Sequence, residues 1–72
     1  MDRETYLRQI SARIREIREE KGVSIYAMAK KMNTSRTQIN RIESGQNTGI
    51  GTLRDVCLVL DIKMSEILDA ED

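Results

Sequence analysis

Apolar side chains recur at intervals of three and four along the first third of the chain. The positions concerned are Leu7, Ile10, Ile14 and Ile17. This spacing lines them along one face of an α-helix and leaves most of the intervening arginines and glutamates facing water. A glycine suits the left-handed position that closes a helix, and a preceding lysine complements the negative end of the helix dipole. The pattern therefore predicts a first helix that ends at Gly22, after Lys21.

Two short helices are predicted next, and each begins after a serine that can cap it. Ser24 can accept a backbone hydrogen bond at the start of the second helix. Ser35 can do the same for the third helix, and Gln38 lies three residues further on, as in a capping box. Residues 33–34 supply the turn between the two helices. The predicted inward faces are Met28, Ala29 and Met32, and then Ile39 and Ile42.

The helical spacing resumes after a loop. The third helix is predicted to stop at residues 44–45, and residues 46–51, which contain two glycines, are predicted to form the loop. The apolar positions of a fourth helix and a short fifth one are Leu53, Val56, Cys57 and Leu60, then Ile62, Met64, Ile67 and Leu68. No stretch alternates apolar and polar residues for long enough to suggest a sheet. The pattern therefore predicts an all-α, compact five-helix fold.

The composition agrees with one small helical unit. A chain of 72 residues has material for one core, so we expect a single domain over residues 1–72. Cys57 is the only cysteine, which excludes an intramolecular disulfide, and its place on an apolar helix face favours buried packing over redox sensing. There is no histidine, no glycine-rich phosphate loop and no cluster with metal-ligand spacing. We therefore expect no enzyme activity, no metal and no cofactor.

The N-terminal residues do not resemble a signal peptide, and the longest apolar run, residues 56–60, is too short to cross a membrane. We therefore expect a cytoplasmic protein. The 12 basic and 12 acidic residues balance, but they are unevenly distributed. Between Ser24 and Arg54 five basic residues stand against one acid, Glu43, whereas residues 55–72 carry six acids and one lysine. The basic middle fits a nucleic-acid contact, and ordinary surface solvation is the alternative.

The two short helices joined by a turn carry the candidate chemistry. The second helix of such a pair can enter the major groove of a DNA duplex, with its N-terminal residues pointing at base edges. Here those residues are Arg36, Thr37 and Gln38, with Arg41 one turn further along. Arginine can donate two hydrogen bonds to guanine, glutamine can pair with adenine, and threonine offers a hydroxyl and a methyl group. We predict base contacts from all four; the alternative is a solvated helix face on which Gln38 only caps.

Three stretches of the chain resemble one family of bacterial regulators: RIREIREEKG (residues 13–22), MA (residues 28–29) and SRTQINRIESG (residues 35–45). Their order and spacing are similar to the Cro/C1 type of helix-turn-helix protein, also called the xenobiotic-response-element family. The resemblance implies a lambda-repressor-like fold with the helix-turn-helix over residues 24–44. It also implies a third helix that enters the major groove, in a homodimer on an inverted-repeat operator.

The resemblance further implies that Arg18 and Glu43 form an ion pair that ties helix 1 to the end of helix 3. Six other polar residues are candidates for contacts with the DNA backbone: Ser24, Tyr26, Asn40, Ser44, Gln46 and Asn47. For Tyr26 an ordinary surface position is the alternative. For Lys30 and Lys31, on helix 2, the alternatives are solubility and general electrostatic attraction.

The chain departs from the family pattern at two places. Ile25 stands where many members carry a glutamine that touches a phosphate. The loop after helix 3, which begins Gln46-Asn47, lacks the customary basic residue and proline. Because fewer phosphates are neutralised, we expect a milder dependence of DNA binding on salt than in strongly basic members.

Two classes of function follow. The first is a sequence-specific repressor or regulator that dimerises through helix 5 and part of helix 4, where Met64 is either core filler or a dimer contact. The second is a protein-interaction module, such as an antitoxin, that holds a protein partner through the acidic end, residues 66–72. Neither hypothesis includes a small-molecule ligand.

Overall fold

The computed structural model describes residues 2–47 and 49–68, which form five helices and no strand. The helices are α1 (Arg3–Glu20), α2 (Ile25–Lys31), α3 (Arg36–Glu43), α4 (Ile50–Leu60) and α5 (Ser65–Leu68). The predicted all-α, five-helix fold is confirmed. Within the described residues, no helix is both long and apolar enough to pass through a membrane. Residues 69–72, most of the acidic end named above, lie outside the described residues.

A residue with left-handed backbone ends each of the four longer helices. At the end of α1, the N–H of Gly22 donates to the carbonyl of Glu19 at 3.0 Å, and the N–H of Val23 donates to that of Arg18 at 3.1 Å. This pair of bonds is the Schellman motif, which satisfies carbonyls that the helix itself leaves free. The same pair of bonds closes the next three helices, with Asn33, Gly45 and Asp61 in the left-handed position.

The two predicted serine caps are present. The hydroxyl of Ser24 accepts the N–H of Ala27 at 3.0 Å, and that of Ser35 accepts the N–H of Gln38 at 3.2 Å. The second bond of a capping box, in which the N–H of Ser35 donates to the side-chain oxygen of Gln38, is not formed within the described residues. A left-handed Asn33 and the side-chain cap of Ser35 therefore hold the turn between α2 and α3 with local hydrogen bonds.

All five helices contribute to one core. Its buried apolar residues are Ile10, Ile14, Ile17, Met28, Ala29, Ile39, Ile42, Leu53, Val56, Cys57, Leu60 and Ile67. The other residues predicted to face inward are half-buried: Leu7, Met32, Ile62, Met64 and Leu68. Burial raises the pKa of the Cys57 thiol, and the nearby charge of Glu66 adds to the effect. The thiol is therefore held in its neutral form, as a packing group.

The structure corrects two predicted boundaries. Helix α4 begins at Ile50, inside the predicted loop, because Gly49 has extended backbone and its carbonyl already accepts the N–H of Leu53 at 3.0 Å. Helix α5 is shorter than the apolar spacing predicts and begins at Ser65. The carboxylate of Glu66 accepts the N–H of Lys63 at 2.7 Å, so residues 62–64 form the entry to the helix and not its first turn.

Side chains of α1 hold α5 in place. The hydroxyl of Tyr6 donates to the carbonyl of Leu68 at 3.0 Å, and Nε of Arg13 donates to the carbonyl of Glu66 at 3.2 Å. Both bonds satisfy carbonyls of the short last helix, which has few bonds of its own. Tyr6 thus covers the edge of the core.

Candidate nucleic-acid interface

Helices α2 and α3 pack on each other, and α3 also packs against α1. The inner side of α3 consists of Ile39 and Ile42, which are 0 % and 2 % exposed. The inner side of α2 is formed by Met28 and Ala29. Because apolar packing anchors α3 on one side only, its other side is left open to solvent.

A buried ion pair fixes the end of α3 to α1. Nε of Arg18 donates to one carboxylate oxygen of Glu43 at 2.7 Å, and Nη2 donates to the other at 3.2 Å. Nη1 of Arg18 donates to the carbonyl of Val23 at 2.8 Å. The side chains of the two residues are only 7 % and 6 % exposed. The hydrogen bond to Glu43 raises the pKa of Arg18, and the fork geometry holds α3 at one angle to α1.

The outward side of α3 carries four polar residues. An α-helix turns by about 100° per residue, so the residues opposite the two isoleucines follow directly from their positions. They are Thr37, Asn40, Arg41 and Ser44, and all four are exposed. Arg36 is exposed as well and lies at the flank of this face that adjoins α2. The structure therefore brings three of the four predicted base-contacting residues to one accessible surface.

Gln38 is the predicted base-contacting residue that does not lie on the outward side. It is half-buried on the opposite flank of α3 from Arg36. There it lines a groove with Asn47, Thr52 and Asp55. The reason is helical geometry, since Gln38 stands about 100° further round the helix than Thr37 and so turns toward α4. The sequence alone gives no sign of this, because it does not show which flank of α3 the α4 helix covers.

The candidates for contacts with the DNA backbone lie in different surroundings. Tyr26 is 62 % exposed on α2, and Asn40 and Gln46 are also open to solvent. Ser24 is exposed, and its hydroxyl caps α2. The hydroxyl of Ser44 donates to the carbonyl of Arg41 at 3.1 Å. Asn47 is half-buried, and its side-chain oxygen accepts the hydroxyl of Thr52 at 3.4 Å.

The charge of this surface differs from that of α1. On α1, four arginines pair with glutamates: Arg8, Arg13, Arg15 and Arg18. On α2 and α3, the exposed cations are Lys30, Lys31, Arg36 and Arg41, and none of them forms an ion pair with an acid in the described part of the chain. The one acid between residues 24 and 54, Glu43, is used by Arg18. The outward surface of α2 and α3 is therefore uniformly positive.

Sequence reasoning missed a cleft that adjoins this surface. Tyr26 and Lys30 form its α2 side, and Arg36 lies on its α3 side. The spacing of Tyr26 and Lys30, four residues apart on a helix, was the available signal that they share a face.

In residues 2–47 and 49–68, no group of three histidine, cysteine, aspartate or glutamate side chains is placed to hold a metal ion.

Comparison with known proteins agrees with this geometry. The helix-turn-helix family HTH_3 matches residues 14–67. The restriction-modification controller protein C.AhdI from Aeromonas hydrophila is similar in structure, with a TM-score of 0.77, 29% sequence identity, and coverage of 85% of this chain and 94% of that chain. The clp gene regulator ClgR from C. glutamicum has a TM-score of 0.81 and 26% identity, and the match covers 89% of this chain and 86% of that chain. Among curated proteins none matches.

Proposed function

The chain belongs to the helix-turn-helix family HTH_3 of DNA-binding transcriptional regulators, and we propose that it recognises a specific sequence in double-stranded DNA. The Cro/C1-type resemblance of the sequence is confirmed by the family match. Of the two similar structures, one is a controller protein and the other a gene regulator. Their roles support a regulatory role here, which we propose to be repression by occupying an operator.

The single observation that carries this proposal is the unpartnered positive surface of α2 and α3. Its formation depends on Glu43 turning inward to Arg18, which leaves the outward cations without an ion-pair partner in the described residues. Such a surface attracts the phosphates of a duplex, and phosphate contacts supply most of the affinity. An exposed helix with one buried side, held at a fixed angle, supplies the probe that enters the major groove.

We assign base contacts to Thr37 and Arg41, on the outward side of α3, and to Arg36, on the flank of α3 that adjoins α2. Arginine and threonine side chains can read guanine and thymine by hydrogen bonds and methyl contact. Gln38 joins them only if its amide turns out of the groove near Asp55. The proposed backbone contacts are Ser24, Tyr26, Asn40, Ser44, Gln46 and Asn47.

We propose that the protein acts as a homodimer on an inverted repeat, through α5 and part of α4. Leu58 on α4 is 63 % exposed, and Ile50 at the start of α4 is 72 % exposed. Large apolar side chains at such exposure favour contact with another apolar surface. One short helix reads only a few base pairs, and two copies about 34 Å apart on the duplex double the number read.

Selection of duplexes from a random pool tests the proposal. We expect a palindromic sequence to be enriched, and Arg41→Ala to weaken binding to the enriched duplex. Arg15→Ala is the matched control, because it removes an exposed arginine from α1, where it pairs with Glu19. No enrichment, and no DNA retained at low salt, would contradict the proposal. Equal loss of binding in the two variants would contradict the assignment of α3 as the reading helix.

A further inference from the structure

The short last helix carries part of the surface proposed for dimerisation. Helix α5 spans four residues, of which Ile67 is buried and Leu68 is half-buried. Ile62 and Met64, in the segment that leads into α5, are half-buried apolar residues as well. A helix of about one turn is not stable by itself in water. The orientation of this apolar surface therefore depends on what holds α5 against the rest of the chain.

Helix α1 holds α5 by two side-chain bonds. The hydroxyl of Tyr6 donates to the carbonyl of Leu68, and Nε of Arg13 donates to the carbonyl of Glu66. An α-helix leaves the carbonyls of its last turn without partners in the helix, and α1 supplies donors to two of them. Tyr6 and Arg13 lie about two turns apart on α1, so the bonds fix α5 at two points.

Packing alone fixes α5 less completely. Helix α1 is the neighbour that α5 contacts most, and Ile67, which is 0 % exposed, is the side chain that α5 places in the core. An element with few buried apolar contacts opens at a low cost in free energy while the rest of the chain stays folded. The two bonds from α1 therefore decide how often α5 is in place.

We propose that Tyr6 and Arg13 are positioning residues for dimerisation. Through the two bonds they keep α5 in the orientation that presents its apolar side chains to a second copy of the chain. A chain that lacks the bonds keeps its core, but its α5 is less often in the orientation that binds. This inference rests on the proposed homodimer, and it adds residues of α1, which is not one of the helices proposed to form the contact.

The size of the effect follows from the fraction of chains in which α5 is in place. The loss of one hydrogen bond of this kind changes such an equilibrium by about fivefold. Only chains in the competent state bind, so the apparent dissociation constant rises as the competent fraction falls. Because a dimer needs two competent chains, the rise goes with the square of that fraction and reaches at most about 25-fold for one bond.

Sedimentation equilibrium of the DNA-free chain tests the proposal. The variants are Tyr6→Phe, which keeps the ring and removes the hydroxyl, Arg13→Gln, and the double variant. Thr5→Val is the matched control for Tyr6→Phe, because it removes a hydroxyl from the exposed neighbouring position. Arg15→Gln is the matched control for Arg13→Gln, because each of these arginines pairs with a glutamate of α1.

We expect each single variant to raise the dissociation constant of the dimer by about 2- to 25-fold, and each control to leave it unchanged. The double variant is expected to raise it by more than the product of the two single effects. The reason is that the second loss acts on a chain whose α5 is already less often in place. Circular dichroism should show the same helical content in all variants, since the core is retained.

The other outcomes overturn the inference in different ways. Single variants that dimerise as tightly as their controls would exclude a positioning role and leave the homodimer standing. Single effects that only multiply in the double variant would indicate that both side chains touch the second copy directly. If the unaltered chain sediments as a monomer at every concentration, the homodimer and the positioning role fail together. The selection of duplexes still tests sequence-specific DNA binding separately.

Discussion

Arg18 and Glu43 form a bidentate ion pair although they are 25 positions apart in the chain. Nε of Arg18 lies 2.7 Å from Oε2 of Glu43, and Nη2 lies 3.2 Å from Oε1. The pair has two consequences for the surface that meets DNA. It fixes the end of α3 to α1, and it removes the one acid of residues 24–54 from the outward side. The positive charge of α2 and α3 is thus a result of packing as well as of composition.

Breaking this pair is expected to destabilise the fold. Glu43→Ala leaves the Arg18 guanidinium buried without an opposite charge, and the free energy of unfolding falls by about 3–5 kcal/mol. The double variant Arg18→Met with Glu43→Leu replaces both charges with apolar groups, and its loss is expected to be smaller. Urea unfolding followed by circular dichroism measures both. If the double variant is as unstable as Glu43→Ala, the buried charge is not the cause.

Arg41 and Gln38 are expected to differ in their importance for DNA binding. Arg41 is exposed on the outward side, so Arg41→Ala should cost a base contact and lower affinity for the selected duplex by about tenfold or more. Gln38 is half-buried beside Asp55, so Gln38→Ala should change affinity by about twofold or less. Anisotropy titrations give both values, and a larger loss for Gln38→Ala would mean that its side chain leaves the groove to reach DNA.

A charge at Leu58 is expected to prevent dimerisation. Leu58→Glu places a carboxylate on the exposed face of α4, and its desolvation opposes an apolar contact there. Ala12→Glu adds the same charge to an exposed position of α1 and serves as the control. Sedimentation equilibrium should give the 8.3 kDa of one chain for Leu58→Glu and a dimer for the control. A dimeric Leu58→Glu variant would place the contact elsewhere.

Two glycines at helix ends are expected to respond differently to the same substitution. Gly22 and Gly45 both have left-handed backbone, with φ of +69° and +86°, so an alanine at either costs about 1–2 kcal/mol of stability. A Cβ on Gly22 meets nothing within 4 Å, whereas one on Gly45 lies 3.3 Å from Cγ of Arg8. Gly45→Ala should therefore cost more, as thermal unfolding would show. Adding Arg8→Ala should remove the difference, and a persisting difference would point to the backbone of α1.

The elements of this fold could be predicted because their causes are local. Ser24 and Ser35 cap helices through bonds to residues three positions away, and Gly22 ends a helix through its own backbone freedom. The core positions follow from the period of the α-helix, which brings side chains three and four positions apart to one face. Local capping also explains why the predicted starts of α4 and α5 were wrong. The carbonyl of Gly49 and the carboxylate of Glu66 accept backbone N–H groups at the start of each helix, and apolar spacing does not indicate such bonds.

The sequence by itself therefore determined that there are five helices, the serine caps of α2 and α3, and the buried face of each helix, because those depend on residues within a few positions of one another. Only the tertiary structure decided which flank of α3 is covered by α4, which is why Gln38 turns aside and Arg36 does not. It also decided that Lys30 and Arg36 share a cleft. The physical reason is that helices far away in sequence set the surroundings of an exposed side chain. The spacing of residues within one helix does not specify where those other helices lie.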